Sequence, residues 1–145
     1  LIAEPEGLVI DCDRVYHDLL KTDKALLSSI ENRFPGTVEN GVLQRKKLGA
    51  VVFGDKAAMK RLTAITGPVI DREVKRLVLE STGLTAIDAI GLFEGGLDKL
   101  CHTTVAVTAP EEDRIRRLMA RDGIDRDYAK RRIDAQKSPE WFREM

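Results

Sequence analysis

Cysteine is nearly missing from this 145-residue chain: Cys12 and Cys101 stand far apart, without a metal-type spacing. That excludes a disulfide framework and a thiolate zinc site, and it predicts a reduced, cytosolic (cytoplasmic) protein. An excess of either charge is missing too, since Lys plus Arg and Asp plus Glu both number 24. A generic nucleic-acid-binding surface is thereby excluded, although a local basic patch is not. Aromatic residues make up only 5%, too few for a base-stacking platform. No apolar run approaches the roughly 18 residues that span a bilayer. The opening residues LIAEPEGLVID have neither the basic start nor the apolar core of a signal peptide. What is left, 43% apolar and 33% charged residues, is the composition of a soluble domain long enough to bury a core.

Leu8-Val9-Ile10 reads as a short buried strand that delivers Asp11, Cys12, Asp13 and then His17. Asp11 or Asp13 is expected to cap the helix that follows, on which Val15, Leu19 and Leu20 share a face. A second helix is predicted near Lys24 to Phe34, where Leu26, Ile30 and Phe34 recur at helical spacing. FPGTVENGV breaks the pattern with a loop or small hairpin at Asn40-Gly41. LQRKKLGAVVF and DKAAMKRLTAI predict two more helices, the second capped by Asp55. Gly67-Pro68 then predicts a break before another helix, from about Val69 to Glu80.

The character changes after that point. LTAIDAIGLF predicts a buried strand ending at Phe93-Glu94, and TTVAVTA, Thr103 to Ala109, predicts a further one. Pro110 opens a helix with Glu111 and Glu112 in its first turn, Gly123 ends it, and Asp125 caps the next. Ser138-Pro139-Glu140 starts a last helix. Strands alternating with helices predict an α/β domain with a parallel sheet, the helical block between residues 24 and 80 being an insertion over the strand ends.

Ligands of open parallel sheets bind outside the carboxyl ends of the strands. Asp11 sits at such an end and is open between two roles, helix cap and proton acceptor. Asp13 reads more as a cap. His17, four residues on, reads as the partner of a plain Asp–His pair or as a surface histidine. Glu94 with Gly95-Gly96 makes a turn where a ligand can approach the backbone closely. Between Arg114 and Arg132 there are eight Arg or Lys residues against three Asp, a local excess in a chain of zero net charge. A solvated helical face accounts for part of it. The alternative is an anion site, because the planar guanidinium fork suits phosphate oxygens.

Taken in order, these segments resemble the dephospho-coenzyme A kinases. VIDCDRVYH resembles that family's Asp-x-Asp-x-x-x-His motif. LQRKKLGAVVF is similar to its Asp-Arg-x-x-Leu…Val-Phe segment, with Gln44 in place of Asp and with Arg45, Leu48 and Phe53 retained. IDAIGLFEGGLDKL resembles its Leu-Phe-Glu-Ser-Gly-Leu-Asp signature. VAVTAPEEDRIRRLMARDG and RRIDAQ are similar to the strand, Ala-Pro and Arg-rich lid that follow. The resemblance implies a three-layer parallel sheet of the P-loop kinase type, with a helical acceptor-binding insertion (residues 21–80) and an Arg-rich helical lid (residues 111–136). Residues 1–20 and 81–110 would then be the core sheet, and residues 137–145 the start of a C-terminal helix.

The same resemblance implies transfer of the γ-phosphoryl group of ATP, with Mg2+, to the ribose 3′-hydroxyl of dephospho-CoA. Asp11 would take the hydroxyl proton; Asp13, His17, Arg45, Phe93 and Glu94 would bind the acceptor; Arg117, Arg121, Arg132 and Gln136 would bind ATP. No nucleic acid and no membrane enters this reading. A nucleoside monophosphate kinase also uses an Arg-rich lid, but the acidic motif and the Leu-Phe-Glu segment speak against it. A binding module without catalysis is the other alternative. Gly67 stands where the family usually has His, Ile90-Gly91 where it has Pro-Leu, and Gly95 where it has Ser. No G-x-x-x-x-G-K-[ST] loop occurs in the 145 residues, and that loop's backbone N–H groups and lysine cradle phosphates. The expectation is a piece of a longer kinase, inactive by itself, with an exposed strand edge and apolar face.

Overall fold

The computed structural model describes residues 7–134 and 136–145. It falls into two units, divided between Cys101 and His102.

In the first unit, the run Leu-Val-Ile-Asp forms strand β1 (Leu8–Asp11). Its side chains alternate: Ile10 is buried, while Val9 is 55% exposed. The strand is therefore covered on one face only, and is not buried throughout as its apolar run predicts. Helix α1 (Cys12–Thr22) begins at once, because the Asp11 carboxylate accepts the first free N–H groups of the helix. Asp23 ends α1 and caps α2 (Lys24–Arg33). Strands β2 (Val38–Glu39) and β3 (Val42–Leu43) then form a small hairpin, one of the two alternatives open at Asn40-Gly41. Both turn residues have positive φ, 52° and 75°, the pair of angles that a tight two-residue hairpin requires and that Asn-Gly supplies.

Helix α3 (Arg45–Val52) follows, and then α4 (Lys56–Glu80), capped by Asp55 as the spacing predicts. Here the structure differs from the sequence reading: Gly67-Pro68 does not split α4, which runs through Pro68 for 25 residues. A mid-helix proline removes one hydrogen bond and crowds the carbonyl four residues earlier. Burial along the whole helix outweighs that local cost. Ala58 and Leu62 pack into a cluster with Leu20, Leu26, Leu27, Ile30, Phe34, Leu48 and Val52. Further along, Val74 packs with Ile10 and Leu97. Each such aliphatic side chain is worth about 1.5–3 kcal/mol when fully buried.

The chain returns to the sheet as β4 (Thr85–Asp88), parallel to β1. It stops five residues before the expected end at Phe93, because Ile90-Gly91 begins a turn held by Gly95 N–H to Gly91 O (2.9 Å) and Leu97 N–H to Leu92 O (2.9 Å). A short 3-10 helix over Leu97–Leu100 closes the unit.

The second unit holds α5 (Glu111–Asp122), α6 (Arg126–Asp134) and α7 (Pro139–Glu144). Ile115, Ala129 and Ile133 form its core. Gly123, with φ of 64°, ends α5 in the left-handed conformation, and Asp125 accepts the Tyr128 N–H at the start of α6. The strand expected over residues 103–109 is not formed. Val105 and Val107 are 82% and 94% exposed, and among the described residues no strand pairs with them. A β-prone sequence becomes a strand only where a neighbour takes up its backbone donors and acceptors. The parallel sheet of the described residues accordingly has two strands, not the three expected.

Candidate active site

Parallel register sets Asp11 opposite Asp88 and Ile10 opposite Ile87, so both strands of the pair end in Ile-Asp. Asp11 does act as a helix cap. Its Oδ1 accepts the N–H of Asp13 (2.9 Å) and of Arg14 (3.1 Å). Both bonds go to one oxygen, so Oδ2 keeps its lone pairs, and the residue is exposed. Capping thus engages one oxygen of the carboxylate and leaves the other without a hydrogen bond among the described residues.

Asp13 lies in the first turn of α1 and is not its cap. His17 is exposed on the same face, but no hydrogen bond or ion pair joins the two; its ring centroid lies 5.7 Å from that of Tyr16. The plain Asp–His pair is therefore not formed. Between Asp11 and Asp13, the Cys12 thiol is pushed up to about 11, first by burial and then by the charges of Asp11, Asp13, Asp88 and Asp71. Four carboxylates thus act on one point at the carboxyl ends of the strands. Asp71 and Asp88 are not among the sequence candidates. The Ile-Asp ending shared by VID and AID is the signal that could have found Asp88. Asp71 had none, because its approach comes from α4 packing across the sheet.

Phe93 and Glu94 lie in the turn after β4, Phe93 half-buried and Glu94 exposed. That turn is anchored near the start of α1, since Leu92 and Cys12 pack on the same Ile10–Val74–Leu97 core. It also passes close to α4: a Cβ on Gly95 would stand 3.2 Å from Gly91 O and 3.5 Å from Asp71 Oδ1. Arg45, at the start of α3, is exposed and has no carboxylate partner among the described residues. Its field acts on Tyr16 of α1, whose phenol is raised by burial and pulled back by the Arg45 charge. Phe53, which the resemblance matches to a family position, is 77% exposed. A cleft of about 380 Å³ opens along β1 between α1 and α4, at the edge that pairs with no strand among the described residues. Leu8, Ile10, Val15 and Leu77 floor it, and Asp11 and Glu73 stand on its lining.

The basic residues of the second unit are largely spoken for. Arg126 holds Glu112 through two bonds (2.9 and 2.6 Å), and Lys130 reaches Glu111 (2.9 Å). Arg121 and Arg132 both bind Asp122, and Gln136 accepts from Arg114. Arg131 lies over the Tyr128 ring. Among the described residues of α5 and α6, Arg117 alone of the cations carries no ion pair, hydrogen bond or ring contact. Arg114, Arg117 and Arg121 lie on one stripe of α5, at spacings of three and four.

No three His, Cys, Asp or Glu side chains among the described residues come together as a metal cage. The carboxylates at the strand ends are nonetheless hard oxygen donors of the kind Mg2+ takes one or two at a time, completing its shell with water and phosphate. They fit a cation that arrives with a nucleotide. No helix of the described residues is long and apolar enough to cross a membrane.

Comparison with known proteins gives one family. Residues 1–143 match the family model described as dephospho-CoA kinase. A dephospho-CoA kinase of Lactobacillus acidophilus is 34% identical over 134 residues, covering 88% of this chain and 67% of its own length. That of Carboxydothermus hydrogenoformans is 34% identical over 142 residues, covering 94% and 69%. Among solved structures, a crystal structure from Thermus thermophilus matches with a TM-score of 0.74 at 31% identity, over 95% of this chain and 71% of that one. The dephospho-CoA kinase from Campylobacter jejuni matches with a TM-score of 0.58 at 26% identity, over 90% and 68%.

Proposed function

We propose that Asp11 receives the acceptor hydroxyl's proton in this chain, which belongs to the dephospho-CoA kinase family, a family of phosphotransferases. The observation that carries the proposal is the division of labour within one carboxylate. Asp11 Oδ1 is held by two backbone N–H groups of α1, which fixes the side chain, while Oδ2 accepts no hydrogen bond among the described residues and the residue is exposed. A positioned base needs that combination of a fixed side chain and an open oxygen.

The reaction is transfer of the ATP γ-phosphoryl group to the ribose 3′-hydroxyl of dephospho-CoA. The hydroxyl oxygen bonds to the γ-phosphorus, the bond to the bridging oxygen of ADP breaks, and the hydroxyl proton passes to Asp11 Oδ2. In such loose transition states, positioning and charge neutralisation count for more than the strength of the base. Asp13 and His17 line the acceptor side of α1. Arg45, with no carboxylate partner among the described residues, supplies a cation for the acceptor's phosphates. Phe93 and Glu94 contribute the turn beyond β4. Arg117, Arg121 and Arg132 of the Arg-rich helical pair, with Gln136 just beyond it, take the phosphates of ATP, as a lid in a P-loop kinase fold. Asp88, at the end of the neighbouring strand, would help to hold Mg2+ with water and the phosphates, and the ion would neutralise charge on those phosphates.

The test is ADP release by the full-length protein given ATP, Mg2+ and dephospho-CoA. ADP formed only when dephospho-CoA is present supports the reading; no acceptor-dependent ADP would sink it.

A further inference from the structure

Asp122 stands where an acidic residue costs stability. It is the last residue of α5, and a negative charge there meets the negative end of the helix dipole. The sequence places Gly123 next, which suffices to end the helix without any acid. A local conflict of this kind points to a role beyond the element itself.

The side-chain geometry shows what Asp122 does. Its Oδ1 accepts Arg121 Nε at 2.7 Å, and its Oδ2 accepts both Arg121 Nη2 at 3.0 Å and Arg132 Nη1. One carboxylate thus brings together two guanidinium groups, one from each helix. The carboxylate is the sheltered member, 24% exposed against 68% for Arg121 and 44% for Arg132. Among the described residues, Arg121 Nη1 and Arg132 Nε and Nη2 have no partner. Two guanidiniums and one carboxylate leave a net positive charge, and Arg117, one turn earlier on the same stripe, adds another. Nor is Asp122 needed merely to join α5 to α6. Arg126 to Glu112 and Lys130 to Glu111 already do so, over the Ile115–Ala129–Ile133 core.

We propose that Asp122 is a positioning residue that holds Arg121 and Arg132 side by side as a ready-made fork for the phosphates of ATP. Two long, flexible arginines otherwise lose side-chain freedom on meeting the anion, and a carboxylate that has already ordered them removes that cost from binding. The carboxyl is held down to about 2, first by its bond to Arg121, so the fork stays assembled at every physiological pH. This inference rests on the assignment of Arg121 and Arg132 to ATP.

The experiment compares steady-state kinetics of the full-length protein with those of Asp122→Ala, Asp122→Glu, Arg121→Ala and Arg132→Ala. Asp122→Ala is expected to raise the KM for ATP about tenfold, as loss of binding energy does when kcat is kept. The KM for dephospho-CoA and the far-UV CD spectrum should stay unchanged, and Asp122→Glu should recover most of the loss. An unchanged or lowered KM for ATP in Asp122→Ala, while the arginine variants raise it, overturns the positioning role alone. Arginine variants without effect on ATP overturn the ATP assignment together with the inference. A fall in helicity that accounts for the kinetic change makes Asp122 a structural tie and overturns the proposal as well.

Discussion

Asp11 and Asp88 stand opposite each other in parallel register, at the carboxyl ends of the two strands of the sheet. Like charges on directly neighbouring strands repel, by a few tenths of a kcal/mol to about 1 kcal/mol. The pair therefore concentrates negative charge where stability alone would avoid it. Replacing Asp88 by Asn is expected to stabilise the protein by about 0.5 kcal/mol. A urea midpoint that falls or does not move would show that the two charges do not feel each other.

Asp11→Asn separates the two duties of the residue. Asparagine caps helices about as well as aspartate, so the melting temperature should stay within a degree or two. Turnover should drop by at least about 100-fold, the usual contribution of a positioned base. Near-normal turnover would remove Asp11 from proton transfer.

The Cys12 thiol provides a local reporter of the same cluster. At about 11 against an ordinary 9.0, its thiolate fraction at pH 8 is about 100-fold below that of a free cysteine. A thiol raised in the folded state adds stability that is fully present below pH 9 and is lost as pH rises through 11. Alkylation of Cys12 by iodoacetamide at pH 8, followed by peptide mass spectrometry, should be correspondingly slow. Asp88→Asn should speed it, because one of the charges holding the thiol up is gone.

Asp122 moves in the opposite direction. Its carboxyl is lowered from 3.8 to about 2 by Arg121 first and Arg132 after it. Stability from such a group is present above its unfolded value of 3.8 and is lost as pH falls through 2. Carbon-13 NMR of the Asp122 carboxyl should show a midpoint near 2; a midpoint near 3.8 would mean that the two arginines do not hold it in solution.

The continuity of α4 through Pro68 carries a stability cost. A proline in a helix interior costs roughly 3 kcal/mol relative to alanine. Pro68→Ala is expected to stabilise the first unit by about 1–3 kcal/mol, measured by urea unfolding. A loss of stability would show that the ring packs better than the helix is harmed.

Much of the architecture was legible because it is local. Helix starts at Asp55, Asp125 and Ser138 follow from a side-chain oxygen within reach of the first N–H groups. The hairpin at Asn40-Gly41 follows from positive φ at two consecutive residues. Gly123 ends α5 for the same backbone reason. These choices are settled within a few residues, so their spacing reveals them.

Other features answer to distant parts of the chain. Gly67-Pro68 has the chemistry of a break, yet α4 passes through it because apolar clusters lie against both halves of the helix. Thr103 to Ala109 has the composition of a strand, yet a strand also needs a partner for its backbone. The candidate site divides in the same way. A carboxylate at a strand end was evident at Asp11 from the sequence alone, and so was the cluster of arginines after Pro110. Only the folded chain decided that Asp11 caps with one oxygen and leaves the other open, that Asp88 faces it, and that Arg121 and Arg132 meet on Asp122. Local spacing determines which residue types stand at element ends. Which of them come within hydrogen-bonding reach is set by strand register and helix packing, which involve residues tens of positions apart.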